Sequence, residues 1–404
     1  MKTPSKRAVA LSSILLCVAL SGCGSSDSGV EGHDEPEATA TTEGSGLSAD
    51  EVALLFDDRS ATNGSVIAAA TIGEDNAASV TAMSLDGKYL WQVPIPVEGA
   101  TVEDVRVVAA EGSPVIVSYT TTTADDGISA GGTETQATAF DDDGKVAWTG
   151  PVDGDALLVA DEVLIIARDS GDADTPARTS AYDVTSGKRI WQKEGFALGL
   201  SEGVVFVYED TNDDDVTRAL DIETGKEWWN TNALAGPSNS VGSTRRYIAS
   251  SGTRVVIEVY DRTLAGDGGS RYTIVDSATG RNPVNVDSLD DNTGLIAHVD
   301  PEANVVVIDD GYAAVNADAI NVGIVAVDLT TGKIVWSQGK DDVADGTFAK
   351  FGGQGLTWFE TANDIIAIDS KTGKTVQTGM EAFPTLLWDG HQLVNGRIQE
   401  VPGK

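Results

Sequence analysis

The sequence predicts an all-β protein, a propeller of four-stranded antiparallel blades, and three observations carry that prediction. A hairpin motif, Ala-x-Asp-x-x-Thr-Gly-Lys with Trp close behind, returns at intervals of several tens of residues, which marks a repeat architecture. Short alternating or continuous β-type runs flank every copy, and no stretch has a convincing helical period. Most of the eight Trp stand at matched places in the repeat.

The chain begins with Lys2, Lys6 and Arg7 ahead of an apolar run from Ala8 to Leu20, then Leu20-Ser21-Gly22-Cys23. A basic stretch, a short apolar core and small residues before a cleavage point make a secretory signal over residues 1–22, too short for a lasting bilayer span. The last four residues resemble the lipobox of bacterial lipoproteins, which implies cleavage before Cys23 and lipid attachment to its sulfur. Two acyl chains give stable anchoring, so the expected contact with the membrane is this anchor alone. From Gly24 to about Asp50 the chain is Gly, Ser, Thr, Ala, Glu and Asp without an aromatic. Such composition predicts a disordered tether over residues 23–50, with a reach of roughly 30 Å. Residues 51–404 are expected to form one propeller domain.

Aligned on the turn Gly, the copies fall at Gly87, Gly144, Gly187, Gly225, Gly280, Gly332 and Gly373. Each Gly is followed by Lys88, Lys145, Lys188, Lys226, Arg281, Lys333 or Lys374. Four residues after the Gly stand Trp91, Trp148, Trp191, Trp229 and Trp336, replaced by Val284 and Gln377 in the fifth and seventh copies. The Asp can accept turn amides and the Gly supplies a positive φ, so each copy reads as a hairpin. The first two copies have a turn one residue shorter. Upstream strands such as Val204-Val205-Phe206-Val207-Tyr208 bring each unit to four. A flat indole at a fixed place can wedge against the next sheet, so these five Trp are assigned a structural, blade-docking role. Seven hairpins favour seven blades. Eight is the alternative, because Pro384 to Arg397 reads as strands of a further blade. C-terminal strands are expected to close the ring against N-terminal ones, removing exposed edges.

These motifs resemble the PQQ-like repeat, the propeller motif of quinoprotein dehydrogenases and of the outer-membrane-protein assembly lipoprotein, over about Val66 to Arg397. A quinoprotein would carry an axial Ca²⁺ site, a stacking Trp and, in many members, a vicinal Cys pair. The only cysteines are Cys17 and Cys23, and no acidic residue matches the calcium ligands one by one.

A formal charge of −36 repels phosphate backbones and anionic lipid, so nucleic acid is not an expected partner. Only His33, His298 and His391 remain for metal or acid–base work, far apart in sequence. Asp210 to Asp215 has oxygen ligands at alternate places but lacks the Gly and distal Glu of a calcium loop. It reads as a solvated acidic loop, as do Asp141-Asp142-Asp143 and Asp290-Asp291-Asn292. Arg245-Arg246-Tyr247 reads as local charge compensation, and Phe351-Gly352-Gly353-Gln354-Gly355 lacks the Lys and helix of a phosphate cradle. No hydrolase motif is present.

No catalytic, cofactor-binding or metal residues, and no cofactor, are assigned. The expectation is an exported, lipid-anchored, monomeric module facing the extracytoplasmic side. It binds or scaffolds an envelope protein, peptide or glycan through loops such as Thr120 to Thr135 and Asp261 to Ser270. The alternative is a quinoprotein-type or sugar-active enzyme using the central channel.

Overall fold

The computed structural model describes residues 60–73, 77–95, 97, 101–123, 132–160, 162–169, 176–210, 215–234, 243–261, 269–286, 296–309, 322–339, 349–360, 365–380, 382–395 and 397–403. Among them, eight antiparallel sheets succeed one another, each a meander of sequential strands. Blades 1 to 7 have four strands and span 60–94, 101–151, 156–194, 196–230, 243–285, 296–339 and 349–380. Blade 8 has three: Leu386–Trp388, His391–Val394 and Arg397–Glu400. The ring therefore has eight blades rather than the favoured seven. Counting third-to-fourth-strand hairpins missed blade 8, because its strands contain no copy of that hairpin.

First strands of successive blades touch from Ser60–Thr62 in blade 1 to Ala349–Gly353 in blade 7, and blade 1 also meets Leu386–Trp388. They surround a common axis, with the fourth strands outermost. The described C-terminal sheet pairs with no N-terminal strand. The ring closes there by packing, Ile67, Ala69 and Met83 of blade 1 lying on Leu386, Trp388 and Leu393 of blade 8.

Eight apolar clusters fill the eight seams, one per seam. This explains why the middle strands are continuously apolar. Successive side chains point to opposite faces of a sheet, and both faces of a blade are covered. In blade 4, Val205 and Val207 pack toward blade 3, while Val204 and Phe206 pack toward blade 5.

The two ends of the ring differ. Because strands alternate in direction, the first-to-second and third-to-fourth turns lie at one end, here the turn end. Second-to-third connections and blade-to-blade links lie at the other, the loop end. At the turn end the hairpin motif resolves into a repeated clamp. Asp183 Oδ1 accepts the N–H groups of Thr185 and Ser186 at 3.1 and 2.8 Å and both hydroxyls, at 2.7 and 2.8 Å. Asp221, Asp276, Asp328 and Asp369 make matching turns. Gly187 N–H then bonds Asp183 C=O, spanning four residues, whereas Gly144 bonds Asp141 across three. In blade 1 Ser84 replaces the Asp, and its hydroxyl accepts Lys88 N–H at 3.1 Å.

The repeated Ala has a packing reason. Ala82, Ala139, Ala181, Ala219 and Ala326 pair directly with Trp91, Trp148, Trp191, Trp229 and Trp336, and a bulge follows each Ala. A methyl leaves room for the indole opposite. Where Val284 replaces the Trp in blade 5, its pairing partner is Ile274 instead of Ala.

Candidate functional site

Each repeat indole reaches across a seam. The Nε1–H of Trp91, Trp148, Trp191, Trp229 and Trp336 donates to the carbonyls of Asp142, Val184, Ile222, Ser277 and Ser370, at 2.7 to 2.8 Å. In all five the acceptor is the residue just after the turn Asp. The indole face meets the next blade's turn Gly: a Cβ on Gly144, Gly187, Gly225, Gly280 or Gly373 would fall 2.6 to 2.8 Å from the ring. Those glycines also have φ between 62° and 77°, so two constraints exclude a side chain there. Blades 1 and 2 are joined a second time by Asn63, whose Nδ2 donates to Ser113 C=O at 2.9 Å and to Asp142 Oδ1 at 2.8 Å.

Among the described residues the loop end has no such repeat; one charged network, Glu209 and Glu227 on Arg218, lies within blade 4, and another bridges the seam between blades 2 and 3. The link Asp153-Gly154-Asp155 crosses that seam. Gly154, at φ 132°, lies so close to the next blade that a Cβ would sit 2.3 Å from Ala167 O. The flanking carboxylates therefore point to different blades. Asp153 takes Arg168 Nη1 at 2.6 Å and Gln192 Nε2 at 2.9 Å, with Arg178 Nη1 at 4.0 Å. Asp155 takes Arg106 Nη2 at 3.4 Å, and Arg106 Nε donates to Asp104 at 3.2 Å. Arg106, Arg178 and Asp155 stay 41%, 41% and 51% exposed. Exposed pairs of this kind contribute about 0–1 kcal/mol each. Three guanidinium groups held in register on a rigid rim are better suited to reading a polar partner than to stabilising the fold. Planar forked donors recognise carboxylates and backbone carbonyls.

Sequence reading did not single out Asp153, Asp155, Arg106, Arg168 or Arg178. Their positions belong to two blades and a link, and no spacing along the chain joins them. The Gly between two Asp was the available signal.

The residues that sequence reading weighed are dispersed. Cys23, His33 and Asp290-Asp291-Asn292 lie outside the described residues. Asp141 to Asp143 form a turn: Asp141 Oδ1 accepts the N–H groups of Asp143 and Lys145, and Asp143 pairs with Lys145. Asp210 and Asp215 are the paired ends of two strands. Tyr247 lies against Gly199 of blade 4, and burial pushes its hydroxyl up to about 12. His391 is exposed and stacks on Trp388, 5.9 Å between centroids. Of the polar excursion from Thr120 to Thr135, the described ends are paired strands in which Thr120 pairs with Thr135 and Thr122 with Thr133.

Among the described residues no group of three His, Cys, Asp or Glu could hold a metal ion. The five repeat tryptophans are not placed to stack a quinone on the ring axis. They stand on outermost strands, engaged at seams, and the chain has no vicinal cysteine pair. Among the described residues no helix is long and apolar enough to cross a membrane.

No curated protein matches the chain. Among solved structures it is similar to BamB from Moraxella catarrhalis, at 14% identity over 85% of this chain and 96% of that one, with a TM-score of 0.46. It is also similar to the quinohemoprotein alcohol dehydrogenase from Comamonas testosteroni, at 13% identity over 83% and 70%, with a TM-score of 0.48. A europium-containing methanol dehydrogenase gives 14% over 79% and 77%, with a TM-score of 0.44. The family described as outer membrane protein assembly factor BamB matches residues 76–200 and 173–379. That match takes in well over half of this eight-bladed PQQ-like repeat propeller, and the chain belongs to that family.

Proposed function

We propose that this protein is a non-catalytic, lipid-anchored scaffold in the extracytoplasmic space, whose loop end binds an envelope protein. One observation carries the reading: Arg106, Arg178 and Asp155, 41% to 51% exposed, flank the Gly154 link between two blades that the Trp148 clamp joins at the turn end. Preorganised polar groups lower the ordering cost of association. Membership of a family described by outer-membrane assembly supports a protein partner, and Leu20-Ser21-Gly22-Cys23 supports the anchor.

The test is crosslinked capture from intact envelopes, comparing the parent chain with Arg106→Glu and Arg178→Glu. Charge reversal should abolish recovery of a defined envelope protein while melting stays unchanged. Equal recovery by parent and variants would overturn the loop-end assignment. The catalytic reading is tested by supplying PQQ, Ca²⁺ and an electron acceptor with an alcohol or an aldose. Acceptor reduction above the rate without protein would overturn the non-catalytic one.

A further inference from the structure

The seam between blades 6 and 7 carries polar groups in an otherwise apolar layer. His298, on the first strand of blade 6 (Ile296–Asp300), is 5% exposed. Its imidazole lies flush on Gly352 of blade 7, where a Cβ would fall 1.5 Å from Nε2. Neither ring nitrogen has a hydrogen-bond partner among the described residues. At the matching place, two residues before the end of the first strand, blades 3 and 5 have Leu158 and Ala249.

Asp300, two residues on and so on the same face of the strand, is also fully buried. Its Oδ1 accepts the N–H groups of Glu302 and Ala303, both at 3.1 Å, while Oδ2 has no partner among the described residues. Opposite it in blade 7, the buried Ser370 and Thr357 hydroxyls are 2.8 Å apart. Ser370 C=O is the acceptor of the Trp336 clamp. Val305, Val307, Ile324, Phe359 and Ile368 fill the rest of the seam.

We propose that this seam is a proton-operated joint: it stays shut while the His298 ring is neutral, and protonation of that ring loosens it before any other seam. A cation there would sit desolvated with no partner. Gly352 lies directly on the ring; the titratable and charged residues on the elements packed there are Asp300 and Glu302 on its own blade, Lys350 on the facing strand of blade 7, and Arg245, Arg246 and Tyr247 on the first strand of blade 5. Desolvation alone lowers the His298 pKa, to about 4. The unfolded chain takes up the proton below about 6.5, whereas the folded chain resists it. Stability from this group is therefore complete above that value and lost progressively as pH falls toward 4. Asp300 acts in the opposite sense. Desolvation raises its pKa, with a smaller contribution from Glu302, so lowering the pH restores stability through it.

The experiment is urea unfolding of the full chain between pH 7 and pH 5, above most carboxylate titration. His298 should raise the unfolding constant roughly 20-fold across that span. His298→Gln should remove the rise, and Asp300→Asn should steepen it. Amide exchange at pH 5 should show Ala349–Gly353 losing protection before Phe196–Ser201. An unchanged slope in His298→Gln, or uniform loss of protection, overturns the joint. Imidazole resonances of the unsubstituted chain decide the matter even where a variant fails to fold: a His298 midpoint near 6.5 overturns it.

Discussion

At the turn end one clamp of Ala, Asp, Gly and Trp is used again and again; at the loop end the described residues carry no such repeated motif. The turn end joins neighbouring blades through indole-to-carbonyl bonds and glycines that meet the ring face. The loop end joins blades 2 and 3 through charged side chains around Asp153-Gly154-Asp155 that remain open to water. Repetition suits the first task, because every seam presents the same problem of docking one sheet on the next. Variation suits the second, because recognition needs a particular arrangement. Stability should therefore be sensitive at the turn end, and binding at the loop end.

The largest expected effect is at the clamp itself. Trp229→Ala removes a side chain 6% exposed that touches Phe206 and bonds Ser277 C=O, and should cost about 3–5 kcal/mol in urea unfolding. A loss below about 1 kcal/mol would break the contrast between the ends. Next is Gly225→Ala, where φ is 66° and the new methyl would lie 2.8 Å from the Trp191 ring. Strain and overpacking together should cost about 2–3 kcal/mol.

Blade 5 sharpens the same point. Val284→Trp alone should cost about 1–3 kcal/mol by crowding Ile274. Adding Ile274→Ala should recover at least half of that, a non-additivity read from a double-mutant cycle. Independent costs would mean that the Ala and Trp positions are not coupled. Smaller again is Asp183→Ala, at about 1 kcal/mol for the lost turn acceptor. Hydrogen bonds from Thr185 and Ser186 hold the Asp183 carboxyl below its ordinary value of 3.8. Its contribution is thus present above that pH and lost as pH falls through the lowered value, so the variant should approach the parent in strong acid. The smallest effect on folding is at the loop end. Arg106→Ala and Arg178→Ala should each change unfolding by under about 0.5 kcal/mol. A loss above 1 kcal/mol would make that network structural instead.

Much of the fold was legible because the repeat encodes local geometry. Asp, Gly and Trp at fixed spacing define a turn, a positive φ and a docking ring, and all three are short-range matters. The eighth blade was harder to see. Leu386–Trp388, His391–Val394 and Arg397–Glu400 form no third-to-fourth hairpin, so the strongest motif is silent there. Closure was legible only as a need to remove edges, not as Leu393 packing on Ile67 and Met83. The candidate site was the least legible part. Arg106 and Asp155 are 49 residues apart and meet through the curvature of the ring.

The residue order by itself determined the class of architecture, the place of each hairpin and the apolar character of strands covered on both faces, because propensity, turn chemistry and periodicity act over a few neighbours. Only the assembled ring decided which carbonyl takes each indole, which charges share Asp153, and that His298 is shut away between two blades. Those relations hold between segments tens of residues apart, and the angle at which sheets pack around the axis sets them.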